Sequence, residues 1–283
     1  MESKLINFHL YRYHLLPIET DGRQSKLFSE PELSLEELKA KKNELFKGAL
    51  DVLKQLSSNY PLKLEHHEGD YYLFKLAQKK TTKITQDFQN QVVKNEPYVY
   101  VVINNNPKVQ KIAISENIEA FSKPDVVCNV LKKSFKRDLA KVGLNIAIEQ
   151  MFSSINFWKY AKEHRDEITF INFKYIKPNL ADISKSLPNV FRRFAENTNS
   201  HESHISIKAP NRGILKNIDK KNNDINGLVE YTSEGAGSIS MKIRGVAKQK
   251  STKENPLILK IDEIHLEGAS DQLLKMYKEI VKE

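Results

Sequence analysis

Residues 62–77 read LKLEHHEGDYYLFKLA: two apolar and aromatic runs, Leu62–Glu65 and Tyr71–Ala77, on either side of Glu68-Gly69-Asp70. A glycine turn of that length reads as a β-hairpin, and so short a connection permits only antiparallel pairing. The same logic extends to Tyr98–Ile103 and Val109–Ile114, joined by Asn104-Asn105-Asn106-Pro107 as a second hairpin. Upstream, residues 5–16 (LINFHLYRYHLL) read as a strand that stops at Pro17, followed by a polar loop, Glu19–Glu30. The stretch SLEELKAKKNELFKGALDVLKQL has Ser34 with Glu37 three residues on, the spacing of a capping box. Leu38, Leu45, Phe46, Ala49, Leu53 and Leu56 then recur at helical spacing. Residues 85–94 are expected to form a short helix. Strand, helix and hairpins in that order give an α+β fold rather than βαβ repeats.

Beyond Pro124 the pattern changes. Residues 125–142 form an amphipathic helix with Val127, Leu131, Phe135, Leu139 and Val142 on one side. Lys132, Lys133, Lys136, Arg137 and Lys141 fall on the opposite arc, with Asp138 near its apolar border. Further strands are expected at Leu144–Ile148, Ile168–Ile176, His204–Ala209, Leu228–Tyr231, Ile239–Ile243 and Leu257–Leu266. Asn156–His164 is read as a short helix. A longer one from Pro178 to about Asn197 turns Ile183, Leu187, Val190, Phe191 and Phe194 inward and is kinked or divided at Pro188. Ser233–Ser238 reads as a glycine turn, Gly245–Pro256 as a basic loop and Asp271–Lys282 as a closing helix. The whole is α+β, with mixed or antiparallel sheets, hairpins and packed helices. Two sub-domains are expected, residues 1–122 and a basic region, 123–283.

The 283 residues include 45 Lys+Arg and 36 Asp+Glu, a formal net charge of +9. Two-thirds of that excess falls between residues 123 and 200, which carry fourteen basic and eight acidic side chains. Such asymmetry is the footprint of a surface that meets phosphates. No apolar run approaches the length that crosses a bilayer, and no apolar stretch follows Met1-Glu2-Ser3-Lys4 as in a signal peptide. The single cysteine, Cys128, suits a reducing compartment. The expectation is a cytoplasmic chain that does not itself span a membrane.

Sequence signatures of catalysis are missing. Neither GxxxxGK[ST] nor GxGxxG occurs, and Gly235-Ala236-Gly237 precedes a strand, as a hairpin turn would. One cysteine cannot supply a structural zinc site. His66 and His67 are adjacent on a strand and point to opposite faces; His201, Glu202 and His204 lack a defined further ligand. Cys128 sits by the apolar face of the basic helix and reads as a core residue. Asp262, Glu263 and Glu267 are the best carboxylate cluster for a metal-dependent nuclease, which stands as the enzymatic alternative. A protein-interaction subunit is the other. Neither a catalytic residue, a cofactor nor a metal is assigned. The candidate nucleic-acid-binding residues are four basic groups: Lys132, Lys133, Lys136, Arg137 and Lys141; Lys174 and Lys177; Arg192 and Arg193; Lys242, Arg244, Lys248 and Lys250. Aromatic residues do not interleave with them on a clean strand face, which favours backbone contact with double-stranded DNA over base readout. RNA is the alternative ligand.

From Glu167 onward the order of elements resembles the RexA-like family of phage-exclusion proteins. The shared pattern runs through Ile176-Lys177-Pro178, a helix, and His204-Ile205-Ser206-Ile207-Lys208-Ala209, then Tyr231, Ser233-Glu234 and Gly237-Ser238-Ile239-Ser240. The hairpin containing Tyr60 and Tyr71-Tyr72-Leu73-Phe74 is similar as well, and the organisation is broadly similar to KwaB-type defence proteins. The resemblance implies an anti-phage protein of α+β fold. It would be a homodimer that binds double-stranded DNA with little sequence preference and works with a membrane-protein partner. It carries over no individual residue.

Overall fold

The computed structural model describes residues 5–19, 33–53, 55–86, 88–262 and 278–281. Most of the expected loop Glu19–Glu30, the carboxylates Glu263 and Glu267, and most of the expected helix Asp271–Lys282 lie outside the described residues. In chain order the first elements are β1 (Leu5–Pro17), α1 (Leu35–Asp51), β2 (Gln55–Ser57), β3 (Tyr60–Glu68) and β4 (Tyr71–Ala77). They are followed by β5 (Lys80–Gln86), β6 (Gln89–Asn95), β7 (Tyr98–Asn104), β8 (Lys111–Ser115) and α2 (Pro124–Ala140). Then come β9 (Leu144–Gln150), α3 (Ser154–Glu163), β10 (Ile168–Ile176), α4 (Ala181–Ser184) and α5 (Asn189–Asn197). The remaining elements are β11 (Glu202–Lys208), α6 (Asn223–Tyr231), β12 (Gly237–Ile243), β13 (Lys250–Ser251) and β14 (Ile258–Asp262). This is the α+β class.

Two compact units are drawn from interleaved segments. One gathers Met1–His9, Asn43–Val142 and Ile258–Glu283; the other gathers Leu10–Lys42 and Gly143–Leu257. They are not contiguous halves meeting at residue 122, because β1 serves both. Its residues Leu5–His9 pair with β14, while Tyr11–Pro17 pair with β9.

In the first unit the strand order is β14-β1-β8-β7-β4-β3-β2. Gly69, with φ +59, turns β3 into β4 as expected. Strands β7 and β8 are buried almost throughout, so their sequences read as continuous apolar runs rather than alternating ones. Helix α2 lays Val127, Cys128, Leu131, Phe135 and Leu139 into this core. Phe135 meets Phe46 of α1 edge-on at 5.1 Å. The capping box forms: the Ser34 N–H donates to Glu37 Oε2 at 2.8 Å, and the Glu37 N–H donates to Ser34 Oγ at 3.3 Å. The expected helix at 85–94 is instead the hairpin β5–β6, a two-stranded sheet of its own. Its β-branched residues, among them Thr81, Thr82, Ile84, Val92 and Val93, favour extended backbone, and every side chain described in β6 is exposed.

The second unit is built on a four-stranded antiparallel sheet, β11-β10-β12-β13. One face buries Ile171, Phe173, Tyr175, Ile239, Met241 and Ile243 against Trp158, Leu187, Ala195 and Leu228. Pro188 divides the expected long helix, leaving α4 and α5. Restarting at Asn189 resets the helical phase: Ala195 is buried, whereas Val190 and Phe194, expected inside, are exposed. Leu228–Tyr231 is helix rather than strand. The Asn222 side chain accepts from the Ile225 N–H at 3.2 Å and starts α6 inside the polar stretch. Ile225, Leu228 and Val229 then repeat at three and four residues and are buried. Residues 232–236 form one π-helical turn into β12, so Ser233–Ser238 is a helix-to-strand turn and not a hairpin. Gly235 is required there. Its φ is +80, and a Cβ would lie 2.6 Å from Cβ of Arg12.

Candidate nucleic-acid interface

Helix α2 forms where expected because Pro124 opens it and its apolar residues recur at three and four. Of its five candidate cations, Lys133, Lys136, Arg137 and Lys141 are exposed and Lys132 is half-buried. Asp138 engages two of them. Arg137 donates to its carboxylate from Nε at 3.1 Å and Nη2 at 3.2 Å, and Lys141 Nζ lies 3.3 Å away. The hydrogen bond from Arg137 holds the Asp138 carboxyl below its ordinary range. Lys132, Lys133 and Lys136 have no carboxylate partner among the described residues. Residues three and four apart on a helix lie about 5–6 Å apart, so these three make a ridge one helical turn long. Beside them, Arg137 lies in the last turn of α2, where a cation complements the helix dipole.

The candidates in the second unit fare differently. Lys174 is consumed by structure: its ammonium lies 2.7 Å from Glu149, whose side chain is 3% exposed, and 2.9 Å from Glu202. Burial pulls its pKa down, but the two carboxylates outweigh that and leave it above the ordinary lysine value. Lys177 Nζ donates to Asn199 Oδ1 at 2.9 Å. Arg192 donates from Nη2 to the carbonyls of Ser184 and Leu187, the latter at 3.2 Å, closing the break between α4 and α5. Its neighbour Arg193 is exposed. Arg244 donates from Nη2 to the carbonyls of Arg212 at 2.9 Å and Gly213 at 2.8 Å. In the basic loop, Lys248 lies 2.6 Å and Lys250 4.0 Å from Glu254, and Lys248 foremost depresses the Glu254 carboxyl. Lys242 remains exposed, its ammonium 5.9 Å from the centre of the Phe170 ring.

Around β1, β9 and β10 of this unit runs a buried polar network. Arg12 donates from Nε to the Glu234 carbonyl at 2.6 Å and from Nη2 to its carboxylate at 3.2 Å. His14 Nε2 donates to the Gly235 carbonyl at 2.8 Å, and burial holds its imidazole below the ordinary value. The network links β1 to the π-turn.

The open face of the sheet in this unit sets the candidate Lys242 beside two residues outside the candidate set, Phe170 and Lys208. In register, Phe170 stands directly opposite Lys208 on β11 and Lys242 on β12. The next row is Ser206, Asn172 and Ser240. The signal was present in the period-two alternation of ITFINFKYI and HISIKA, read for its buried face alone.

Metal chemistry finds little here. Among the described residues no three His, Cys, Asp or Glu side chains group as a metal site. His201 faces the Pro17 carbonyl at 3.1 Å, His204 pairs with Glu202 at 3.1 Å, and His67 stacks on Tyr72 at 4.1 Å. Asp262 ends β14. No described helix is long and apolar enough to cross a membrane. No protein-family model matches the sequence, and no curated protein matches it either, so its own residues carry the functional argument.

Proposed function

We propose that this chain binds the phosphate backbone of double-stranded DNA through the Lys132–Lys133–Lys136 ridge of α2, without base readout and without a catalytic centre of its own. The observation that carries the reading is that these three lysines, Lys133 and Lys136 exposed and Lys132 half-buried, lie within one helical turn and lack carboxylate partners among the described residues. On a merely solvated helix face, lysines are commonly paired with glutamates at three or four residues. Arg137 and Lys141 flank the ridge; shared with Asp138, they contribute less net charge.

The resemblance to phage-exclusion proteins supports the wider setting: a cytoplasmic defence component, homodimeric, working with a membrane-protein partner. Sedimentation velocity of the purified chain is expected to give twice the monomer mass. Reversing the ridge (Lys132→Glu, Lys133→Glu, Lys136→Glu) is expected to weaken duplex binding at least tenfold at low salt while leaving the thermal midpoint within a few degrees. Unchanged affinity would remove the ridge from the interface.

A further inference from the structure

The face of the β11-β10-β12 sheet opposite the core is laid out in cross-strand rows. The first is Lys208, Phe170, Lys242; the second is Ser206, Asn172, Ser240; the third is His204, Lys174, Ser238. The third row is closed by the ion pairs of Lys174 with Glu149 and Glu202. The first two rows are open. Lys208, Lys242 and Ser206 are exposed, and Phe170, Asn172 and Ser240 are half-buried.

On this face the period-two pattern puts polar groups outward, and Phe170 departs from it. Its ring lies on the solvent side of a sheet whose other side already buries Ile171 and Phe173 completely. Residues directly opposite across antiparallel strands have Cβ atoms about 4.5–5.5 Å apart, which sets one lysine stem on each side of the ring, the Lys242 ammonium lying over it at 5.9 Å from its centre. Next to it, Ser206 donates to Asn172 Oδ1 at 2.7 Å. That fixes the carboxamide and leaves its NH2 group, with two donors, free of any acceptor among the described residues.

We infer that this face binds single-stranded nucleic acid: Phe170 stacks on an unpaired base, Lys208 and Lys242 hold the flanking phosphates, and the Asn172 amide meets the edge of a neighbouring base. An aromatic face is served only by a base whose own face is free, which a continuous duplex does not offer. The two flanking ammonium groups complement a polyanion. Their nearest carboxylate on the face, Glu202, lies at the far end and is held by Lys174 and His204. This site is separate from the α2 ridge and takes a different form of nucleic acid.

The test is fluorescence anisotropy of the full chain with a labelled oligothymidylate, a labelled oligouridylate, an abasic oligomer of the same length and a duplex. Phe170→Ala is expected to weaken binding of the single strands by about five- to hundredfold, the range for losing one base stack. Phe170→Trp should keep that binding, the abasic oligomer should bind the wild type as poorly as the single strand binds Phe170→Ala, and duplex affinity should not change. Lys208→Ala with Lys242→Ala should lower the single-strand salt slope by about 1.4, at about 0.7 per phosphate contact. Reversal of the α2 lysines in the same assay should affect the duplex and spare the stacking effect. The inference is overturned if the wild type does not bind single strands, if Phe170→Ala binds them as wild type does, or if the abasic oligomer binds equally well. None of these results would bear on the α2 ridge.

Discussion

Lys174 and Glu149 show why a cation must be judged by its neighbours. The carboxylate of Glu149 is nearly sealed from solvent, with Lys174 at 2.7 Å and Lys253 at 3.9 Å. Lys174→Met would leave it underpaired. Removing one partner of a buried ion pair typically costs about 3–5 kcal/mol. Urea unfolding should show a loss of that order, and adding Glu149→Gln should recover much of it. His14 gives a pH signature. Burial lowers its folded-state pKa below 6.5, so the unfolded chain takes up a proton that the folded chain refuses. Its contribution to stability is therefore complete above about pH 6.5 and is lost as the pH falls toward the depressed folded-state value. The thermal midpoint of the wild type should drop between pH 7.5 and 5.5 by more than that of His14→Gln. Equal drops would mean His14 is not a proton-refusing core residue.

Among elements, the order of hairpins was legible because tight turns and apolar runs are local. Ile168–Ile176 emerges as β10 with the boundaries read from sequence, and β3–β4 turns at the glycine expected. The misses have local causes too. The β5–β6 hairpin packs so little apolar surface that no stripe announced it, and the α6 signal lay in an asparagine cap that a polar stretch concealed. The basic helix was readable from its periodicity. Contacts that disarm other cations were not: Lys174 meets glutamates 25 and 28 residues away, and Arg192 meets main-chain carbonyls. The pairing of Lys248 and Lys250 with Glu254, by contrast, is local in sequence. At this scale Gly237 is the most constrained point of the β10–β12 ladder. A Cβ there would lie 2.0 Å from the Lys174 carbonyl oxygen at φ +154. Gly237→Ala should cost upward of about 3 kcal/mol, as expected where main chain itself blocks a side chain. Ser34→Ala, which only removes a helix cap, should cost about 1 kcal/mol; comparable losses from the two would contradict the close approach.

At the scale of the molecule, a formal charge of +9 becomes a short list of usable cations. Most of the candidates in the second unit are tied to carboxylates, amides or carbonyls. The α2 ridge in the first unit keeps three lysines without a carboxylate partner among the described residues, and in the second unit Lys242 joins Lys208 beside the half-buried ring of Phe170. The central claim concerns the ridge, and salt tests it directly. Each phosphate contact contributes about 0.9 to the slope of log affinity against log salt on duplex DNA. Measured by anisotropy across a potassium chloride series, the Lys132→Glu, Lys133→Glu, Lys136→Glu variant should show a duplex slope shallower than wild type by about 2.7. A variant slope equal to that of the wild type would contradict the assignment of these lysines to the phosphate backbone.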